Sequence, residues 1–136
     1  MDYSVHVAKD SMFNTPPVFA VYVSMLTMQW LKDLGGIAAI EEINERKANL
    51  IYSEIELNPV FSGIAAKEDR SNMNATFNIT DDELKDVFDD MCKEAGISGI
   101  NGHRSVGGYR ASMYNALPLE SVGALVDIMS ELEKKG

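Results

Sequence analysis

Three side chains of this sequence could bind an anion: His103, Arg104 and Arg110. They lie close together in a segment that contains no acidic residue. Residues 96–119 contain no acidic side chain, although the 136-residue protein has 21 of them and a formal net charge of −9. Five glycines in residues 96–108 leave backbone N–H groups accessible and permit positive φ angles, as anion-binding loops require. Arginine can hold a carboxylate or phosphate through two parallel hydrogen bonds and stays charged at any working pH. The sequence therefore predicts an oxyanion site in this segment.

A purely structural interpretation of the same residues stays open. In it, both arginines lie on a solvated loop and the glycines serve a hairpin. His103 is equally compatible with a hydrogen-bonded structural role, which is the commoner one for an isolated histidine beside an arginine. The other histidine, His6, is less informative still.

The stretch Asn14-Thr15-Pro16-Pro17 is a second candidate for anion binding. A helix is expected to begin at Pro16, whose missing N–H would be unpaired there anyway, with Thr15 as its cap. A helix N-terminus presents free N–H groups and a partial positive charge to a phosphate. An ordinary cap without a ligand explains the same residues.

Other kinds of site find little support. The acidic residues between positions 81 and 90 lack the spacing of an EF-hand and fit a solvated helix face, so no metal is expected. Cys92 is the only cysteine, which excludes an internal disulfide, and its apolar position predicts a place in the core. The sequence has no nucleophile elbow, no HExxH pair and no P-loop lysine.

Composition sets broader limits. The acidic balance argues against binding to nucleic acid, which needs a basic face. The longest apolar stretches, such as residues 18–28, are too short and too interrupted to span a membrane. The first residues lack the basic start and apolar run of a secretory signal, so a cytoplasmic protein is expected. A hydrophobic content of 46% suits one domain with one core.

The elements that position these residues begin with two helices. The first is expected to run from Pro16 to about Lys32, and because its apolar residues cover most of its circumference it should pack on two sides. Gly35 and Gly36 end it. The second follows over residues 37–55, with isoleucines at helical spacing on one face and Glu41, Glu42, Glu45, Arg46 and Lys47 on the other.

The remainder alternates strands and helices. Residues 73–79 alternate apolar and polar side chains, which predicts a half-buried strand. The segment 80–83 predicts a capping box with Thr80 as cap, opening a helix that ends at Gly96. A short strand over residues 97–100, a loop over 101–108, a strand over 109–114 and a helix from Pro118 complete the chain. The order α-α-β-α-β-β-α predicts an α+β domain with helices on one face of a small, mostly antiparallel sheet.

Several segments of the sequence resemble a known protein family. Residues 11–17, with Trp30-Leu31-Lys32, are similar to a segment of the phosphoserine aminotransferases that follows their cofactor lysine. The match is more specific over residues 102–118, Gly-His-Arg-Ser-Val-Gly-Gly-Tyr-Arg-Ala-Ser-Met-Tyr-Asn-Ala-Leu-Pro, which resemble the C-terminal signature of that family almost position for position. Residues 70–74 and the Gly35-Gly36 pair also have equivalents, so the resemblance spans essentially the whole chain.

The resemblance implies a class V, fold-type I aminotransferase that uses pyridoxal 5'-phosphate. Such an enzyme transfers the amino group of glutamate to 3-phosphohydroxypyruvate and forms O-phosphoserine and 2-oxoglutarate for serine biosynthesis, as a homodimer. Residues 14–136 would be the small C-terminal domain, and residues 1–13 would join it to a large domain that this chain lacks.

Roles for individual residues follow from the resemblance alone. Asn14 and Thr15 would bind the cofactor phosphate of the partner subunit. Arg110 would hold the substrate α-carboxylate. His103 and Arg104 would bind the other anionic end of the substrate, a phosphate in one half-reaction and the side-chain carboxylate of glutamate in the other.

The resemblance also implies what is missing. The family's cofactor lysine belongs to the large domain, and Lys9, Lys32, Lys67 and Lys93 do not lie in its motif, so no catalytic residue is assigned in this chain. We expect a fragment of the enzyme that is inactive alone. The alternative is a stand-alone, non-catalytic module that binds anions or a separately encoded partner.

Overall fold

A computed structural model of the protein describes residues 2–135. Contacts divide the chain into two compact units, with the boundary between Ala38 and Ala39, and each is described by itself. The division expected from the resemblance, a joining segment over residues 1–13 and a domain over residues 14–136, stays a prediction. The elements in chain order are α1 (Ser4–Val7), α2 (Val18–Asp33), α3 (Gly36–Leu57), β1 (Phe61–Gly63), β2 (Asn74–Ile79), α4 (Lys85–Glu94), β3 (Tyr109–Ser112) and α5 (Leu119–Glu133).

The first unit is built on α2, which begins two residues later than expected. Pro17 is its N-cap and no side chain caps it, so the prediction of Thr15 as cap is wrong. The reason is the second proline, because a residue that precedes proline is disfavoured in the helical region and Pro16 therefore cannot be the first helical residue. The helix ends at Asp33, close to the predicted Lys32, and Gly35 and Gly36 follow with positive φ angles of 114° and 79°.

The apolar surface of α2 is not covered by the other described residues of the first unit. None of its residues is buried, and Phe19 is 80% exposed. The two-sided packing predicted for this helix therefore finds no partner within the described residues of the first unit.

Helix α3 is amphipathic as predicted, with one unexpected member on its buried face. Ile40, Ile51 and Ile55 are buried as expected. Lys47, which the pattern placed on the polar face, is fully buried instead. It can be buried because its ammonium group donates hydrogen bonds to the backbone carbonyl oxygens of Met113, Tyr114 and Leu117.

The sheet of the second unit has three antiparallel strands in the order β1-β2-β3. Strand β2 matches the predicted strand, whereas β1 was not predicted. The strand expected over residues 97–100 is wrong, because Gly96 and Gly99 adopt positive φ angles of 74° and 71° that break an extended chain. Only Asn101 makes an isolated bridge there, to Tyr109.

The turn before α4 also differs in detail from the predicted capping box. The Asp81 carboxylate, not Thr80, accepts the N–H of Glu83 at 3.0 Å, at the start of a single 3-10 turn. The Thr80 hydroxyl donates to the Val60 carbonyl oxygen at 3.1 Å instead. The predicted end of the helix is confirmed, since Gly96 has a positive φ angle and its N–H donates to the Lys93 carbonyl oxygen.

One face of the sheet packs against α3, α4 and α5, which confirms the α+β class expected from the sequence. Four aromatic rings pack together in the core between the sheet and α4: Phe61, Phe77, Phe88 and Tyr109. The centroids of the contacting pairs are 5.0 to 6.3 Å apart. Cys92 is 1% exposed, as predicted for a core residue. No helix among the described residues has the length and apolar character to cross a membrane.

Candidate anion-binding site

Strand β3 directs Arg110 away from the core. Its neighbours Tyr109 and Ala111 are buried, so the alternation of the strand leaves Arg110 exposed. Thr76 of β2 lies opposite Arg110, and the Arg110 N–H donates to the Ile100 carbonyl oxygen at 2.7 Å. Hydrogen bonding on both edges of β3 therefore fixes the backbone of Arg110 and with it the base of the guanidinium side chain.

A cleft of about 350 Å³ lies at this edge of the sheet, and Arg110 contributes to its lining together with the buried Ala111 and Met113 of the other face of the strand. The cleft is bounded by the glycine-containing turn at residues 95–100 and by the start of α5, and no acidic residue lines it. The ion pairs found among residues 2–135 involve Lys67, Arg70 and Lys85, not Arg110. Arg110 therefore has no carboxylate partner in the described chain and remains available to an anion.

His103 and Arg104 lie on a loop whose base is closed by two glycines. The Gly102 N–H donates to the Gly108 carbonyl oxygen at 2.8 Å. A Cβ at Gly102 would overlap the Gly107 carbonyl oxygen, so any larger residue would open the base. The positive φ angles expected of this loop occur at Gly107 and Gly108, at 74° and 67°. Both cationic candidates thus project from a tight, exposed loop.

Ser105 holds the ring of His103, a role that the sequence analysis missed. The Ser105 hydroxyl is 2.7 Å from Nδ1 of His103, and the Ser105 N–H also donates to Nδ1 at 3.3 Å. A backbone N–H can only donate, so Nδ1 is an acceptor and the ring proton of neutral His103 belongs on Nε2. The outer edge of the ring can then donate to an anion. The sequence feature that could have indicated this contact is a serine two residues after a histidine.

Asn14 and Thr15 belong to the first unit, whereas the three cationic candidates belong to the second. Both are exposed and lie just before α2. Residues 11–32 contain no acidic side chain. Two polar side chains at the positive end of a 16-residue helix form a donor set that suits a phosphate.

Arg70 differs from Arg110 because its charge is already matched. Its guanidinium donates to the Glu56 carboxylate and lies 4.6 Å from the centroid of the Tyr52 ring. The hydrogen bond from Arg70, and then the charge of Lys67, lower the pKa of the Glu56 carboxyl. Arg70 therefore joins the loop after β1 to α3 instead of remaining available to a ligand.

Comparison with known proteins agrees with this fold. The sequence profile of the family described as Aminotransferase class-V matches residues 1–125. The chain belongs to the class-V aminotransferase family. Within that family it is similar to the phosphoserine aminotransferases.

Both a sequence relative and solved structures show the similarity. A phosphoserine aminotransferase of Flavobacterium psychrophilum is 64% identical over 135 residues, which cover 99% of this chain and 38% of the relative. A solved phosphoserine aminotransferase superposes with a TM-score of 0.89 at 46% identity, over 99% of this chain and 38% of that one. The PLP-bound phosphoserine aminotransferase of Trichomonas vaginalis gives 0.82 at 38% identity, over 95% and 37%. This chain therefore spans a little over a third of the length of the relatives it matches.

Proposed function

We propose that this chain is the C-terminal portion of a PLP-dependent phosphoserine aminotransferase. The reaction would convert 3-phosphohydroxypyruvate and glutamate to O-phosphoserine and 2-oxoglutarate, in serine biosynthesis and in the cytoplasm. The observation that carries the proposal is the position of Arg110, a cation without a carboxylate partner among the described residues, beside a glycine loop with His103 and Arg104.

Each cation is assigned to one end of the substrate. Arg110 binds the α-carboxylate, which glutamate and phosphoserine share, through two parallel hydrogen bonds. Arg104 and the Nε2–H of His103 bind the distal group, either a phosphate or a carboxylate. The Ser105 contacts favour this use of His103, since they leave Nε2 as the donor. One constellation can thereby accept both substrates of a two-stage transfer.

The cofactor contact assigned to this chain is with the phosphate of pyridoxal phosphate. Asn14, Thr15 and the N-terminus of α2 fit that group, because they provide donors and no acidic side chain lies among residues 11–32. We assign the contact to the cofactor of the partner subunit in a homodimer. When bound, pyridoxal phosphate supplies the electron sink for amino-group transfer. No lysine of this chain is assigned to that chemistry, so the isolated chain should be inactive.

A chimera tests the function. Joining this chain to the portion of the Flavobacterium psychrophilum relative that it does not cover should give an enzyme that forms phosphoserine. Changing Arg110 to Lys should then lower kcat/KM by about 100-fold, since the bidentate hold on the carboxylate is lost. Arg46→Lys is the control, because Arg46 is exposed on α3 and away from the proposed site. Equal activity of the two variants would contradict the role of Arg110, and an inactive but folded chimera would contradict the proposed enzyme.

Calorimetry on the isolated chain separates this function from the alternative of a stand-alone binding module. The proposal predicts no transamination by the chain when pyridoxal phosphate is added. Binding of phosphoserine that is abolished by Arg104→Ala or Arg110→Ala would favour the module instead.

A further inference from the structure

Lys47 is the most deeply buried cation of the described chain and has no carboxylate partner. It is fully buried on α3, among core residues. Its Nζ atom donates to the carbonyl oxygens of Tyr114 at 2.9 Å, Met113 at 3.1 Å and Leu117 at 3.3 Å. An ammonium group has three N–H donors, so all of them are used. Burial lowers the pKa of Lys47, and the three carbonyl dipoles offset part of the cost of burying the charge.

All three carbonyl groups belong to one short turn that follows β3. The turn connects the strand of Arg110 to Pro118, where α5 begins. A second contact from the same helix reaches it, since Nδ2 of Asn44 donates to Oδ1 of Asn115 at 2.8 Å. Helix α3 therefore holds both the main chain and a side chain of the turn.

The contact with Met113 fixes the end of β3 from two directions. The Met113 N–H donates to the Met73 carbonyl oxygen at 2.7 Å, and its own carbonyl oxygen accepts from Lys47. Arg110 lies three residues earlier on the same strand, where outward and buried residues alternate. A slip of one residue would turn Arg110 toward the core. The contacts at the end of the strand therefore add to the pairing of β3 with β2 in holding the register that leaves Arg110 exposed.

We propose that Lys47 is a positioning residue for Arg110: its ammonium group binds the turn after β3 and so fixes the register that presents the guanidinium to an anion. This inference rests on the proposed function only in giving Arg110 a substrate. The position of Lys47 can be tested without any ligand, so the two can fail separately.

The first test uses amide hydrogen exchange and chemical shifts of the 136-residue chain labelled with nitrogen-15. Lys47→Met keeps a long side chain but removes the donors. The variant should show exchange at the Arg110 amide about tenfold faster or more, and shifted resonances over residues 109–117. Asn58→Ala is the matched control, since Asn58 is also buried and its Nδ2 donates to the Met129 carbonyl oxygen in α5. It should lower stability without moving residues 109–117. Unchanged signals in Lys47→Met, or equal changes in the control, would overturn the proposal.

The second test needs no variant, so it stands even if Lys47→Met does not fold. In the wild-type chain the ammonium protons of Lys47 should exchange slowly with water and show contacts with the turn over residues 113–117. Lys93, which is exposed, provides the reference for a free lysine. Exchange at Lys47 as fast as at Lys93 would overturn the proposal.

The third test separates positioning from general stability in the chimeric enzyme. Lys47→Met should raise KM for glutamate and for the keto acid alike, because both present an α-carboxylate to Arg110, with a smaller change in kcat. Asn58→Ala should leave both KM values unchanged at a temperature where it is folded. If Lys47→Met lowers only the amount of folded enzyme, its role is structural and the inference is wrong.

Discussion

Gly108 lies directly against the backbone of Phe77 in the neighbouring strand. A Cβ at position 108 would be 2.9 Å from the Phe77 carbonyl oxygen and would overlap the side-chain oxygen of Asn78. The adjacent Gly107 has nothing within 4 Å of the same position, although both residues have positive φ angles, 67° and 74°. The two glycines therefore differ in the space around them and not in their backbone conformation.

This pair gives a prediction for the loop that carries His103 and Arg104. Gly107→Ala should lower the free energy of unfolding by about 1 kcal/mol, the cost of a left-handed conformation for a residue with a side chain. Gly108→Ala should cost about 3 kcal/mol or more, because β2 must also move. Denaturant unfolding of the two variants measures the difference. Equal losses would show that the loop does not pack on β2 as described.

Tyr52 provides a test of the contacts between α3 and the loop before β2. Its hydroxyl group is 3.1 Å from the Ser71 carbonyl oxygen and 3.2 Å from that of Asn74. Tyr52→Phe should therefore lower the free energy of unfolding by about 1 kcal/mol. Tyr22→Phe is the control, since Tyr22 is 54% exposed and should show no loss. A loss of the same size in both would argue against the hydrogen bonds of Tyr52.

Local patterns in the sequence were sufficient where one interaction decides the structure. The alternation over residues 73–79 predicted β2 because one face of that strand is buried. Gly96 predicted the end of α4 because a left-handed residue at that position satisfies the last carbonyl groups of a helix. The strand predicted over residues 109–114, observed as Tyr109–Ser112, also contains Arg110.

Contacts between distant parts of the chain could not be predicted in this way. Lys47 reads as a surface residue of α3, since nothing near it in sequence indicates the carbonyl groups that it meets 66 to 70 residues later. Residues 97–100 read as a strand, yet two glycines bend them and only Asn101 joins the sheet. For Lys47 the tertiary contacts outweigh local preference, whereas for residues 97–100 the conformation of the glycines decides the structure.

Exposure and burial of phenylalanine give a third prediction. Phe19 of α2 is 80% exposed, whereas Phe77 of β2 is fully buried. Phe77→Ala should lower the free energy of unfolding by about 3 to 5 kcal/mol, because it leaves a cavity among aromatic rings. Phe19→Ala should leave it within about 0.5 kcal/mol of the wild-type value. Phe19→Ala should also reduce binding of a hydrophobic dye, since it removes part of an exposed apolar surface. A large loss of stability in Phe19→Ala would mean that α2 is covered in solution.

The buried thiol of Cys92 should make the stability of the protein depend on pH. Burial, followed by the charge of Asp89, raises the pKa of the Cys92 thiol from 9.0 to about 11. The unfolded chain loses this proton above pH 9 while the folded chain keeps it, so the contribution of Cys92 to stability is constant below pH 9 and falls as pH rises toward 11. The loss should approach about 3 kcal/mol above pH 11. Other groups titrate in the same range, so the measurement is the difference between the pH dependence of wild type and that of Cys92→Ala. Reagents that attack thiolates should label Cys92 at pH 8 only after unfolding, and labelling of the folded chain at the rate of a free thiol would contradict its place in the core.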